Sequence, residues 1–503
     1  MGDLTINLLR ATWAVVCVCV SASCGRPNGS DFIRVRADRI AVTHVTVVDG
    51  TGSPAKADQT VLIERDRIAA IGPTATLAAP AGSEVLDGRG STVIPGLVGM
   101  HDHLFYATDA GLRQVSLARS FARLYLAAGV TTIRTAGTID LEKDIEIKRQ
   151  IDAGVEVGPK IHLSSPYIGA ARDLQTLIQR VETAADAGVT SLKVYMNIRR
   201  HELGAAIAWA HSRGLKITGH LCAVGFRDAA ALGIDNLEHG LIVDTEFYSR
   251  KVSDRCPDST ATVRELAAMS IDDPAIQETI GQLVNRRVAV TSTLAVFETV
   301  TGRAGSVDAR MAPLLSPRAR LGYEIGAWLT SVPGFSEVWE RALGLEMAFE
   351  RRFVAAGGLL MAGADPTGGG GVLAGLADHR NVELLVESGF SPERAIQIAT
   401  ANGATFLDES ARIGTLAPGK QADMVLIRGN LVSDIRNIRN VEIVFKDGVG
   451  LDAARLMQAE HGHIGASSWK ILVALGMGPI LVLLLVARRR AVRRRPPKPR
   501  PVL

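Results

Sequence analysis

Val93-Ile94-Pro95-Gly96-Leu97-Val98-Gly99-Met100-His101-Asp102-His103-Leu104 is a largely apolar run that ends in a His-x-His pair. An apolar run of this kind is typical of a strand that is buried on both faces. Because residues i and i+2 of a strand point to the same side, His101 and His103 can bind one metal ion together. An isolated His-x-His pair is more often two solvated or core histidines, so the interpretation depends on the rest of the chain.

Four further candidate ligands lie in or directly after short apolar runs. They are Lys193, His220, His239 and Asp365. Eight candidate parallel strands alternate with helical patterns such as Leu174 to Ala187. The predicted strands are 93–100, 130–135, 159–164, 190–196, 214–220, 235–239, 287–294 and 358–364. Eight is the strand count of a (β/α)₈ barrel, whose chemistry lies at the carboxyl ends of the strands.

This ligand set resembles that of the amidohydrolase superfamily of metal-dependent hydrolases. The resemblance extends from about Ile40 to Gly448 and includes Pro95-Gly96-Leu97 and the segment 418–423. Within the superfamily, three segments are similar to the imidazolonepropionase-like and Xaa-Pro dipeptidase-like branch. They are Thr131-Thr132-Ile133-Arg134, Asn236-Leu237-Glu238-His239-Gly240 and Val444-Phe445-Lys446-Asp447-Gly448.

The expected fold class is α/β, a (β/α)₈ TIM barrel with a small β-sandwich domain and a C-terminal transmembrane helix. Residues 37–92 and 412–448 alternate apolar and polar residues and contain turn signals such as Asp49-Gly50, which predicts short antiparallel strands. Either segment alone would expose an apolar face. The resemblance implies that the two segments pair to form one domain around the inserted barrel.

The resemblance also implies a role for each candidate ligand. His101 and His103 would bind a first metal ion, and His220 and His239 a second. Lys193 would bridge the two ions as a carbamate, whereas the alternative is an exposed or salt-bridged lysine. Asp365 would complete the first site and transfer protons as the catalytic residue. The expected cofactor is a divalent metal, as two zinc ions.

Two more residues are candidates for contact with substrate. His162 ends a predicted strand, and Cys222 lies two residues after His220. Cys222 could form a pocket wall, compete as a ligand or be a small buried apolar residue. Cys222 and Cys256 are the only cysteines in the body of the chain, too few for a disulfide scaffold.

The predicted function is hydrolysis of an amide or related C–N bond in a small-molecule substrate. The first expectation for the substrate is a dipeptide or an N-acyl amino acid, and the second is a cyclic amide. Cys222 occupies a position at which many related dipeptidases have an aromatic residue. The residues expected to contact substrate therefore differ from those of the family. A membrane-tethered, non-catalytic binding protein on the same scaffold is the alternative of another class.

Length and charge place limits on the other functions. A chain of 503 residues suggests one large domain and a smaller one. The formal net charge is +4, and much of the basic excess lies in the arginine clusters at 488–490 and 493–495. Because the rest of the chain is mildly acidic, no nucleic-acid surface is expected.

The two ends of the chain predict export and a membrane span. Arg10 and the apolar residues 11–20 resemble a signal peptide, and lipid attachment at Cys24 is an alternative processing route. Residues 471–487 contain no charge and would extend about 26 Å as a helix. The arginines that follow predict a cytoplasmic tail. The expected location is the cell membrane, single-pass, with the catalytic domain on the extracytoplasmic side.

These observations divide the chain into eight regions. They are a signal peptide (1–24), a linker (25–36), the first β-sandwich segment (37–92), the (β/α)₈ barrel (93–408), the second β-sandwich segment (409–455), a second linker (456–468), the transmembrane helix (469–487) and the basic tail (488–503).

Overall fold

The computed structural model describes residues 29–465, except residues 110, 302, 304–307, 331–333 and 335. The strands are β1 (Ile33–Val35), β2 (Arg39–Val47), β3 (Lys56–Glu64), β4 (Arg67–Pro73), β5 (Glu84–Asp87), β6 (Ser91–Pro95), β7 (Leu97–Asp102), β8 (Phe105–Thr108), β9 (Arg113–Ser116), β10 (Val130–Thr135), β11 (Lys160–His162), β12 (Ser191–Met196), β13 (Lys216–Leu221), β14 (Asn236–Glu238), β15 (Ala289–Ser292), β16 (Leu360–Ala362), β17 (Met424–Arg428), β18 (Val441–Lys446) and β19 (Val449–Asp452).

The α-helices are α1 (Ala118–Ala127), α2 (Leu141–Asp152), α3 (Leu174–Asp186), α4 (Arg200–Ser212), α5 (Phe226–Leu232), α6 (Ser259–Leu266), α7 (Pro274–Asn285), α8 (Leu294–Glu298), α9 (Pro317–Thr330), α10 (Ser336–Ala355), α11 (Leu376–Glu387), α12 (Pro392–Ile398), α13 (Ala401–Phe406) and α14 (Ala453–Gln458). Short 3₁₀ helices include Gly29–Phe32, Gly240–Val243, Gly368–Gly370 and Ile435–Arg439.

Eight parallel strands follow one another in chain order around a barrel. Strands β7, β10 and β11 form one sheet, and β12 to β16 form another. Parallel bridges from Ser164 to Ser191 and from Ile168 to Val194 connect the two sheets. Between the last strand and the first, the backbone N–H of Asp365 donates to the carbonyl of His101 at 2.8 Å. This contact places Asp365 beside the histidine pair.

Helices cover the outside of the barrel, and their sequences explain where they begin and which face they bury. Helix α3 begins after Asp173, whose carboxylate accepts a hydrogen bond from the backbone N–H of Thr176 at 2.8 Å. Leu177, Val181 and Ala184 recur at helical spacing and are buried in the core shared with the barrel strands. The amphipathic pattern therefore fixes the orientation of the helix on the barrel.

The small domain is one nine-stranded sheet built from both ends of the described chain. Its order is β1-β19-β18-β17-β6-β2-β3-β4, with β5 beside β2. Strand β17 pairs antiparallel with both β6 and β18, so it joins the two segments edge to edge. Val42, Val93, Leu426 and Phe445 share one buried cluster. The sequence predicted a sandwich of two halves, whereas the halves form a single hydrogen-bonded sheet.

The predicted strand 93–100 is two strands that meet at Gly96. The backbone N–H of Gly96 donates to the carbonyl of Asp423 in the small domain, and that of Leu97 donates to the carbonyl of Gly129 in the barrel, both at 2.9 Å. A Cβ atom at position 96 would lie 2.0 Å from Oγ1 of Thr131. Glycine is therefore required where the chain crosses from one domain to the other.

The predicted membrane span requires a correction. Among the residues that the structure describes, no helix is long and apolar enough to cross a membrane. Helix α10 is long enough, with 20 residues, but its sequence contains many charged residues, including the buried Glu346 and Glu350. The signal peptide (1–24), transmembrane helix (469–487) and basic tail (488–503) were predicted outside the described residues. This finding contradicts the predicted transmembrane helix of the fold class. It also contradicts the predicted membrane contact and the predicted single-pass membrane location.

Candidate metal centre

Two histidines and an aspartate meet where the first and last barrel strands end. His101 lies near the end of β7, His103 follows that strand, and Asp365 follows β16. Nε2 of His101 lies 3.8 Å from one carboxylate oxygen of Asp365, and Nε2 of His103 lies 3.3 Å from the other. All three residues are buried. Their ligand atoms thus face a common point at the carboxyl end of the barrel.

His239 joins this group because its backbone leaves the strand conformation. It follows β14 with a φ of 71°, and Asp365 follows β16 with a φ of 43°. Positive φ values are uncommon for residues other than glycine and often occur at functional sites. Nδ1 of His239 lies 3.8 Å from Asp365 and 2.8 Å from Oγ1 of Thr293. The turn therefore directs the imidazole toward the aspartate.

Among the described residues, His101, His239 and Asp365 form a group whose ligand atoms all lie within 4.8 Å of one another. His220 lies beside this group, with its ring centroid 4.4 Å from that of His239. Imidazole nitrogens and carboxylate oxygens are ligands that zinc accepts in open, catalytic sites. The arrangement fits a metal ion, and it brings five of the six residues predicted as ligands close together.

Lys193 is the sixth predicted ligand and lies on β12, fully buried. Its Nζ is 3.3 Å from Oε1 of Glu238 but has no aligned hydrogen-bond partner among the described residues. Burial lowers the pKa of Lys193 from its usual value to about 8. Carbamate formation requires the neutral amine, so the environment fits the predicted modification.

The electrostatics of the site favour the protonation states that bind metals. Burial, followed by the charge of Lys193, lowers the pKa of His101 to about 4 and that of His220 to about 3. Burial alone would raise the pKa of Asp365, but His101, His103 and His239 lower it well below its usual range. At neutral pH the imidazoles of His101 and His220 are therefore neutral and the aspartate is ionised.

Glu238 and Arg134 are site residues that the sequence analysis did not single out. Glu238 is fully buried, its Oε2 lies 2.8 Å from Nδ1 of His101, and its Oε1 accepts a hydrogen bond from Arg134 at 2.9 Å. A signal was present, because charged residues in the buried strands 130–135 and 235–239 need partners inside the barrel. The segments Thr131–Arg134 and Asn236–Gly240, which carry the family resemblance, contain both residues.

The two predicted substrate residues have other surroundings. His162 lies 3.7 Å from Glu409, which is paired with Lys160, and no described contact joins His162 to the histidine cluster. Lys160 and His162 share one side of a three-residue strand, so both reach the same glutamate. Cys222 forms a disulfide with Cys256, with 5.0 Å between their Cα atoms. Cys222 is therefore part of a cross-link, a role that the cysteine count did not predict.

Aromatic side chains border the centre. The ring of Tyr195 lies 5.2 Å from His220 and 4.7 Å from Tyr167 between centroids. On the other side, Phe297 lies 5.6 Å from His239 and stacks on Trp339. Both aromatic pairs are only partly buried. Aromatic rings therefore border the candidate metal ligands on two sides.

Comparisons with known proteins show similarity over parts of this chain and over most of its length. A family model described as the amidohydrolase family matches residues 352–450. The imidazolonepropionase of Streptomyces avermitilis is 30% identical over 141 residues, which cover 28% of this chain and 33% of that protein. The imidazolonepropionase of Streptomyces griseus subsp. griseus is 24% identical over 428 residues, covering 82% and 97%. The alignment with the first relative thus spans about a third of that protein's length.

A solved structure has the same fold. The putative prolidase from Bifidobacterium longum superimposes with a TM-score of 0.62 and 24% identity, covering 84% of this chain and 99% of that one. At this level of identity the similarity shows a shared fold. Residues 352–450 therefore match the amidohydrolase family model, and most of the chain has the fold of the prolidase structure.

Proposed function

We propose that this chain hydrolyses an amide bond in a small molecule with the help of a divalent metal. The observation that carries the proposal is the convergence of His101, His103, His239 and Asp365 on one point, with ligand atoms of three of them within 4.8 Å of one another. Buried imidazoles and a carboxylate that face each other in this way are costly to desolvate without a ligand. A metal ion would compensate for that cost.

The proposed ligands divide into two groups. His101, His103 and Asp365 would hold a first ion, and His220 and His239 a second, with Lys193 between them as a carbamate. A bound divalent metal supplies Lewis acidity and eases the ionisation of water near neutral pH. The protein's part is to keep the imidazoles of His101, His220 and His239 neutral by burial and to exclude bulk water from the group. Zinc is the metal that this set of nitrogen and oxygen ligands suits best.

Asp365 is the proposed proton carrier. Its carboxylate lies 3.3 Å from His103 and 3.8 Å from both His101 and His239, so it is next to any water held by these residues. The ionised carboxylate would accept the proton of the attacking water and donate it to the leaving nitrogen. The C–N bond then breaks, giving a carboxylic acid and an amine.

The substrate proposal is a dipeptide or an N-acyl amino acid, with a cyclic amide second. The putative prolidase among the similar structures supports the first. The imidazolonepropionases among the relatives support the second. The aromatic rings of Tyr167, Tyr195, Phe297 and Trp339 suit a planar or apolar group beside the scissile amide.

The test is a hydrolysis screen of the full-length protein reconstituted with zinc, against dipeptides, N-acyl amino acids and cyclic amides. Asp365→Asn serves as the matched variant, because any contaminating hydrolase would act equally in both preparations. Metal content is measured on the same samples. We expect zinc binding and hydrolysis of at least one class by the unmodified protein only. Bound zinc without hydrolysis of any class contradicts the proposal.

A further inference from the structure

One carboxylate contacts side chains from three other barrel strands. Glu238 ends β14, and its Oε2 lies 2.8 Å from Nδ1 of His101 on β7. Its Oε1 lies 2.9 Å from Nη2 of Arg134 on β10 and 3.3 Å from Nζ of Lys193 on β12. All four residues are buried. Glu238 therefore connects the histidine pair to the second and fourth strands of the barrel.

Arg134 fixes the position of this carboxylate. Its Nη1 donates to Oγ1 of Thr218 at 3.0 Å, and its Nη2 also donates to the carbonyl of Met100. A guanidinium does not lose its charge in proteins, and its planar group of donors has little freedom once several hydrogen bonds form. The arginine is thus attached to β7 and β13 and holds Glu238 in one place as an ionised acceptor.

The contact determines which nitrogen of His101 faces the metal position. A carboxylate that is paired with a guanidinium accepts hydrogen bonds, so the proton shared with His101 belongs to Nδ1. The lone pair is then on Nε2, the atom that faces Asp365. His103 has the same arrangement, because its Nδ1–H donates to the carbonyl of Gly137 at 3.1 Å and its Nε2 faces Asp365. A backbone carbonyl orients His103, whereas the side chain of Glu238 orients His101. Only the contact of Glu238 can be removed by substitution.

We infer that Glu238 is the positioning residue of His101, and that metal affinity depends on it. Glu238 keeps the imidazole in the Nδ1–H tautomer and in the rotation that directs Nε2 at the metal, and Arg134 keeps Glu238 in place. The inference rests on the proposed function only for the identity of the bound group, a divalent metal. Loss of such a hydrogen-bond partner typically weakens metal binding 10-fold to 100-fold.

The experiment measures Co²⁺ binding by the full-length protein through the visible absorption of the bound ion. Glu238→Ala should bind Co²⁺ about 10-fold to 100-fold more weakly and show an altered spectrum. Glu238→Gln retains an oxygen that can accept from Nδ1–H and should recover most of the affinity. The matched control is Glu202→Gln, which alters another buried glutamate that is paired with an arginine, Arg199, outside this site.

Wild-type affinity and spectrum in Glu238→Ala would overturn the inference. Where Glu238→Ala does not fold, as judged by circular dichroism, the tautomer of His101 in the metal-free wild type decides the question by ¹⁵N NMR. Protonation at Nδ1 supports the inference, and protonation at Nε2 overturns it. Co²⁺ affinity that depends on Glu238 in a protein without hydrolase activity would reject the proposed function and keep this inference.

Discussion

The two ends of the barrel hold similar polar side chains in different ways. At the carboxyl end, the Nε2 atoms of His101 and His103 both face Asp365, while their Nδ1 atoms are held from behind by other groups. At the amino end, Lys160 pairs with Glu409 and Lys216 pairs with Asp408, each at 2.5 Å. Both lysines are the first residues of their strands.

The difference distinguishes a candidate binding site from structural polar groups. At the amino end each charged group already has a partner of opposite charge, so no group there needs a ligand. At the carboxyl end several neutral nitrogens share a single carboxylate, so their electron pairs outnumber the partners that the protein supplies. A cation would complete such a group, whereas the ion pairs at the other end need no further partner.

The largest expected difference between the two ends of the barrel comes from removing one histidine at each end. His239→Ala should lose metal and reduce hydrolysis on the order of a thousandfold or more, because several groups act there as a unit. His162→Ala, at the paired end, should keep metal content and turnover. Metal analysis and steady-state kinetics on both variants test this. Full activity in His239→Ala would contradict the site.

Asp365→Asn tests whether the carboxylate does more than bind metal. Removal of a proton carrier should reduce turnover about a hundredfold to a thousandfold. At least one metal ion should remain, because the histidines are unchanged. Turnover and metal content are measured together on one preparation. Near-normal turnover would exclude the role in proton transfer.

Removal of the disulfide should give the next largest effect, a loss of folding stability. Cys222 and Cys256 close a loop with a sequence separation of 34 residues that includes His239. Replacing Cys256 by Ser should lower the free energy of unfolding by about 3–4 kcal/mol, because the unfolded chain gains freedom. Urea unfolding of the variant and of the reduced wild type should agree. No difference from the oxidised wild type would contradict the cross-link.

A pH series sharpens the comparison at the amino end. Burial, followed by the charge of Lys160, lowers the pKa of His162 to about 4, against about 6.5 in the unfolded chain. As pH falls below about 6.5, the unfolded chain takes up a proton that the folded chain does not, so wild type loses stability. His162→Gln should avoid this loss and gain about 2 kcal/mol relative to wild type at pH 5.

Urea unfolding at pH 7 and pH 5 measures this difference, with His461→Gln at an exposed position as the control. A constant difference between wild type and His162→Gln would contradict the buried, neutral state of His162. The smallest effect is expected for Lys160→Ala. Partly exposed ion pairs contribute up to about 1 kcal/mol, so stability should fall by no more than that and turnover should not change.

Much of the barrel could be predicted because its strands are apolar runs with turn signals between them. The position of the candidate site followed from one geometric fact, that parallel strands end at the same side of a barrel. His162 shows the limit of that argument. It is the last residue of the short strand β11, but its ring lies beside the amino-end pair of Lys160 with Glu409, a residue 247 positions further along the chain. The sequence does not indicate which distant charge a side chain meets.

Three other features depended on local geometry that the sequence pattern does not encode. Gly96 divides an apolar run into strands of two domains, although the run has no change in composition there. Cys222 and Cys256 pair because the loop after β14 returns to β13. Glu238 and His239 are neighbours that would face opposite sides of a regular strand. The positive φ of His239 allows both to reach the site.

The sheet that combines both ends of the described chain has a consequence for synthesis on the ribosome. Strand β17 lies between β6 and β18, so the sheet remains incomplete until residues near Asp452 have been translated. At that time the barrel residues have already emerged from the ribosome, and strands β2 to β6 still lack the pairing with β17. Exposed strand edges and apolar faces favour aggregation of partly made chains. Slow translation of residues 424–452 would therefore reduce the yield of folded protein more than slow translation of the barrel.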